Sequence, residues 1–136
     1  MRCIALLFVL SLFPLTTSAQ NPNLTAVPTQ DVNGKAIKTG GKPVVLDIFW
    51  TECPHCEEHA PHMVKLAKKH PKLQFIGVVT DRPTELAKIK VFRDRFKISY
   101  QIAHLTNDLL MLLPTRSVPQ VIVYDRHGKL AGNIIG

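Results

Sequence analysis

Two cysteines stand two residues apart, Cys53 and Cys56, inside the stretch FWTECPHCEEHAP at positions 49–61. Glu52, His55, Glu57, Glu58 and His59 surround them, and His62 follows at once. Soft sulfur beside imidazole suits copper or zinc, so a copper-handling site built from Cys53, Cys56 and the nearby histidines is one reading. A lone Cys-x-x-Cys is only half of a structural zinc site, and the chain has no second pair. As a staple the pair is poor, because closing a loop with two residues inside it removes little chain entropy. As a redox pair the spacing works: Cys53 attacks a disulfide, and Cys56 then reaches the mixed disulfide and releases it. A peroxide-reducing thiol would need Thr and Arg built around the nucleophile. An inert pair in a binding domain is the remaining alternative.

The elements that must position these sulfurs can be read on either side. Residues 44–50 (VVLDIFW) are short, branched, aromatic and almost wholly apolar, the pattern of a strand buried on both faces. Asp47 is out of place there. An isolated buried carboxylate is costly, so Asp47 is expected to be partly protonated, able to accept and return the proton of Cys56. The alternative is an edge position or a pairing with Lys. From Cys56 onward, Cys56, Ala60, Met63, Ala67 and His70 recur at spacings that share one helix face, with a kink predicted at Pro61. Cys53 then lies at a helix N-terminus, where orphan N–H groups and the dipole favour a thiolate. Pro54 stiffens the turn, His55 offers a cation or donor beside the sulfur, and Glu52 opposes with negative charge.

Further strands are predicted at residues 73–80, 98–105, 120–124 and 130–135. Asp81 is expected to cap a helix that runs to about Lys97, with Pro83 in its first turn. Asn107 is expected to cap a short helix over residues 108–113, whose Met111, Leu112 and Leu113 are assigned to the core. His104 and His127 read as surface or turn residues. Asn33-Gly34, between Ala26-Val27 and Ala36-Ile37, is a hairpin signal. The alternation of strands and helices gives an α/β fold, with a parallel core and an antiparallel hairpin at one edge.

The chain of 136 residues bounds this to one domain. Its first residues differ from the rest: a positive start at Arg2, an apolar run to Leu15, then Thr16-Thr17-Ser18-Ala19. This is the plan of a secretory signal peptide over residues 1–19, cut after Ala19, with an uncleaved anchor as the alternative. Cys3 leaves with it, and residues 20–136 form the exported domain, without a membrane span. Asn23-Leu24-Thr25 is a glycosylation sequon that matters only on a eukaryotic route. The charge of +7 comes from 17 Lys+Arg against 10 Asp+Glu. No groove-reading motif accompanies it, and Lys65, Lys68 and Lys69 read as a solvated helix face, so nucleic acid is not an expected partner.

Taken together, DVNGK before GKPVVLDIFW, the Cys-x-x-Cys, Pro61 five residues after Cys56, Val118-Pro119 before a strand and DRHGK in the next turn resemble the thioredoxin superfamily. Within it the chain looks like the exported TlpA/ResA-like thiol-disulfide oxidoreductases, over roughly residues 24–136. The resemblance implies a thioredoxin fold: a central mixed sheet flanked by helices with an N-terminal β-hairpin. It implies a cis Val118-Pro119 bond beside the dithiol, a buried acid at Asp47, and catalysis by Cys53 and Cys56. A substrate groove follows around Trp50, Pro54, His55, Val118 and Pro119, with Thr51 nearby. Protein thiols and disulfides and an upstream redox partner are the implied partners of a periplasmic monomer with no cofactor and no metal. The family's Trp before the first cysteine is Glu52 here, and Pro54-His55 and Val118 resemble the oxidase DsbA. The framework implies reductive work, of the cytochrome c maturation or disulfide-repair type, and the loop implies an oxidant. The family's last helix has no counterpart before Gly136, which leaves one sheet face poorly covered if the chain is a truncated product.

Overall fold

The computed structural model describes residues 26–136. The signal-peptide segment and the sequon at Asn23 lie outside the described residues. Five strands form one mixed sheet. β1 (Val44–Phe49) sits at its centre, and α1 (Pro54–Lys69) follows it, then β2 (Gln74–Val79) and α2 (Leu86–Phe96). β3 (Gln101–His104), α3 (Asn107–Leu112), β4 (Gln120–Tyr124) and β5 (Leu130–Ile135) complete the order. The strands lie β3-β2-β1-β4-β5, with β1, β2 and β3 parallel and β4 and β5 antiparallel. This is the predicted parallel core with a hairpin at one edge.

Burial on both faces explains why β1 reads as an unbroken apolar run. Val44, Leu46 and Ile48 pack with Leu109 of α3 and with Ala26, Val27 and Ile37 from the N-terminal segment. Val45 and Phe49 face the other way, toward α1 and α2. Each fully buried aliphatic side chain here contributes about 1.5–3 kcal/mol of transfer free energy. α1 buries Cys56, Ala60 and Met63 of the predicted stripe, with Val64 in addition, while Ala67 is half-buried and His70, the C-cap, is exposed. It runs on through Pro61 as one helix. Phe92 of α2 stacks on Phe49 at 4.9 Å between ring centroids.

Several boundaries move for local reasons. α1 opens at Pro54 and not at Cys56, because Cys53 takes the N-cap and a proline suits the first helical position. α2 begins at Leu86 after a cap at Glu85, so Asp81 is not its cap. Thr106, not Asn107, caps α3, its side chain accepting the Leu109 N–H at 3.2 Å. Leu109 is then fully buried, while Met111 and Leu112 are exposed, against the expectation that they fill the core. A helix of six residues offers too few turns to turn all its leucines inward. The N-terminal hairpin is reduced to one antiparallel bridge, Gln30 with Ala36, around Gly34 at φ 78°. The Asp31 carboxylate accepts the N–H groups of Asn33 and Lys35, each at 2.9 Å, in place of longer strand pairing. At the opposite edge β5 leaves Leu130, Ile134 and Ile135 exposed. No helix among the described residues is long and apolar enough to cross a membrane.

Candidate active site

Cys53 ends the turn that leaves β1 and caps α1, with extended backbone at φ −95° and ψ 115°. Its Sγ accepts the Cys56 N–H at 3.2 Å, so an orphan donor of the first helical turn points at this sulfur. Cys53 and Cys56 are joined as a disulfide with Cα atoms 5.2 Å apart, an ordinary span for such a bond. Cys56 is 1% exposed and Cys53 7%, so both residues are buried and Cys53 the less deeply. The Val118 carbonyl oxygen lies 3.8 Å from Cys53 Sγ, and the Val118–Pro119 bond is cis. Of the two residues between the cysteines, Pro54 holds the first helical position. His55 turns outward, with Nδ1 3.6 Å from Glu58 and a side chain 82% exposed. It therefore stands by Glu58 at the surface of α1.

The loop between β1 and Cys53 is tied down from β2. Thr51 is buried; its N–H donates to Asp81 Oδ2 at 3.0 Å, and its hydroxyl donates to Asp81 Oδ1. The parallel register explains the meeting: Phe49 pairs with Val79, so two residues further Thr51 comes level with Asp81. Sequence reasoning missed this partnership, and a strand register carried past both strand ends would have found it. Glu52, adjacent to Cys53, is met by Lys88 of α2 at 3.1 Å, and Lys88 also holds Glu85 at 2.9 Å. The hydrogen bonds to Glu85 and Glu52 raise the affinity of Lys88 for its proton. The negative charge expected to oppose a Cys53 thiolate is thus answered by a cation.

On the α1 side of the sheet lies Asp47, 2% exposed on the central strand. It neither reaches an edge nor pairs with Lys. Tyr100 donates its hydroxyl to Oδ2 at 2.9 Å, and His59 of α1 brings Nε2 to 3.6 Å from Oδ1. Room for the Tyr100 ring comes from Gly77, the register partner of Asp47. A Cβ at Gly77 would stand 3.4 Å from that ring and 3.1 Å from Ile102 and Phe49. Burial raises the Asp47 pKa from 3.8 to about 6, against the Tyr100 hydrogen bond, which favours the anion. Burial, and then the charge of Asp47, push the Tyr100 hydroxyl well above its usual range.

Trp50, 41% exposed, borders a cleft of about 310 Å³ with Leu110, Leu113, Arg116 and Val118. The structure thus brings Trp50 and Val118 to one cleft and the Val118 carbonyl, at the cis bond to Pro119, to Cys53, while Pro54 and His55 follow Cys53 as the first residues of α1. The histidines diverge: His55 goes to Glu58 and His59 to Asp47. Among the described residues no three His, Cys, Asp or Glu side chains stand close enough to hold a metal ion.

This geometry, a helix-capping dithiol beside a cis proline on a mixed sheet, is matched by sequence. The model of the AhpC/TSA family matches residues 16–132. The chain belongs to the AhpC/TSA family. The thiol-disulfide oxidoreductase ResA of Halalkalibacterium halodurans is 30% identical to this AhpC/TSA chain over 107 residues, 74% of the chain and 60% of that protein. The chain thus spans about 60% of the length of that curated relative. In fold it is similar to a secreted disulfide oxidoreductase of Mycobacterium tuberculosis, with a TM-score of 0.69 and 17% identity over 87% of each chain. A thiol:disulfide interchange protein of Chlorobium tepidum gives a TM-score of 0.68 at 24% identity, over 79% of this chain and 80% of that one.

Proposed function

We propose that the protein is an exported thiol-disulfide oxidoreductase that exchanges disulfides with protein partners through Cys53 and Cys56. The observation that carries this reading is the N-cap: Cys53 Sγ receives the Cys56 N–H at 3.2 Å, and Cys53 is the less deeply buried of the two cysteines. In the reduced protein a Cys53 thiolate keeps that donor and the helix dipole. It attacks a partner disulfide, forms a mixed disulfide and expels one partner sulfur. Cys56 then attacks Cys53 and releases the second. Asp47 takes the Cys56 proton as that thiol becomes a nucleophile. Trp50, Pro54, His55, Val118 and Pro119 form the surface on which the partner chain lies. Export rests on the signal-like residues 1–19, with residues 20–136 as the working domain, and the site needs no cofactor.

The proposed direction is reductive, as in cytochrome c maturation or disulfide repair. On this reading His55, exposed and 3.6 Å from Glu58, adds no donor to the thiolate. A less stabilised thiolate makes the disulfide a weaker oxidant. Equilibration with glutathione tests this: a reductant lies near about −270 mV and an oxidant near about −120 mV. Cys53→Ser is expected to abolish exchange. Exchange that survives in that variant would remove the reading.

A further inference from the structure

Two buried polar atoms face each other beneath α1 with no hydrogen-bond partner: Asp47 Oδ1 and His59 Nε2, 3.6 Å apart. Unsatisfied buried groups are rare, and a pair of them in opposition calls for a physical account. The gap is about half an ångström longer than a hydrogen bond, a shift within ordinary thermal motion. The two ends differ in their access to water: the Asp47 side chain is 3% exposed and that of His59 29%. Tyr100 reaches Asp47 from the segment before β3, and His62 stands near His59 on α1. The strands on either side present Gly77 and Val121 opposite Asp47 and so bring no charge.

We infer that His59 is the proton port of Asp47, a positioning residue that carries protons between the buried carboxyl and water as the dithiol cycles. The inference rests on the exchange proposed for Cys53 and Cys56 and deepens it. When the mixed disulfide resolves, the Cys56 S–H gives its proton to Asp47. The Cys56 sulfur bonds to Cys53 as the Cys53–partner bond breaks, and the partner leaves as a thiolate that takes a proton from water. The dithiol loses two electrons and the partner disulfide gains them. The Asp47 proton then passes to His59 Nε2, and the ring's other nitrogen returns one to solvent. Burial raises the Asp47 carboxyl to about 6 and lowers His59, with the charge of His62 pushing His59 further the same way, so the two affinities move toward each other. Neighbouring groups that interact in this way titrate as a pair, and a smaller gap in affinity favours proton transfer in both directions.

The test is a pH titration of the oxidised full chain, following the Asp47 carboxyl and the His59 ring by NMR, alongside the pH profile of mixed-disulfide resolution. In the wild type both signals should show the same two inflections. His59→Leu should leave Asp47 with one inflection, at least about one pH unit higher, and slow resolution about tenfold at neutral pH. His59→Gln, which keeps a polar side chain and covers the case that the leucine variant does not fold, should slow resolution equally. Superimposable Asp47 titrations in wild type and variants overturn the inference, as does shared titration with an unchanged resolution rate. A wild type that performs no exchange removes the proposed function, while separate or shared inflections still decide whether His59 serves Asp47.

Discussion

Asp81 and Asp47 are two carboxylates buried against one sheet, and their surroundings differ in kind. Asp81 receives two donors from Thr51, one on each oxygen, and ties the loop before Cys53 to the end of β2. Asp47 receives one donor, from Tyr100, and its second oxygen faces an imidazole across 3.6 Å. A buried carboxylate with both oxygens satisfied acts as a clamp. One left half satisfied is pushed toward its neutral form and becomes a group that trades protons. The same residue type thus ties down the loop before the dithiol at one place and, in the proposed mechanism, serves its proton chemistry at the other.

The largest effect expected from breaking this contrast is at the clamp. Asp81→Ala strands a buried N–H and hydroxyl on Thr51 and should lower stability by about 3 kcal/mol in urea unfolding. It should also speed alkylation of reduced Cys53, because its loop loosens. At Asp47 the sign reverses. The folded protein binds that proton more tightly than the unfolded chain, so the stability gained from the protonated form is present below pH about 4 and is lost as pH rises through about 6. Asp47→Asn lacks this loss, and its stability relative to wild type should rise by up to about 3 kcal/mol between pH 4 and 7. Equal effects of the two aspartates at pH 7 would erase the comparison. Tyr100→Phe sharpens it: without the donor that favours the anion, the Asp47 carboxyl should titrate about one unit higher in an NMR titration. Smallest is Glu52→Gln, which frees Lys88 at an exposed pair. It should move the thiolate titration of Cys53 downward by less than about half a unit, an effect that added salt weakens.

Much of this was legible in the chain itself. The apolar run of β1 required a buried strand, and one carboxylate inside it marked Asp47 as unusual. The 4-3-4-3 spacing named the inner face of α1, and the turn before it placed Cys53 at a helix end. Local patterns failed where the partner lies far along the chain. Asp81 has the residue type of a helix cap, and only the parallel register of β1 and β2 shows that it meets Thr51. Tyr100 reaches Asp47 across 53 residues of sequence, and the strand pattern read over residues 98–105 does not say which buried group its hydroxyl meets. The alternative copper reading of the histidines stayed open because composition cannot say which way a helical side chain points. Met111 and Leu112 misled for a related reason, since apolarity alone does not say which residues of a short helix turn inward.

The central claim is that the start of α1 stabilises an ionised sulfur at Cys53, and the most direct measurement is the ultraviolet thiolate titration of the reduced protein. One thiolate titrating below about 7.5, absent from Cys53→Ser and retained in Cys56→Ser, is the predicted result. A Cys53 thiol that titrates near about 8.5, as in an unstructured peptide, would contradict the account.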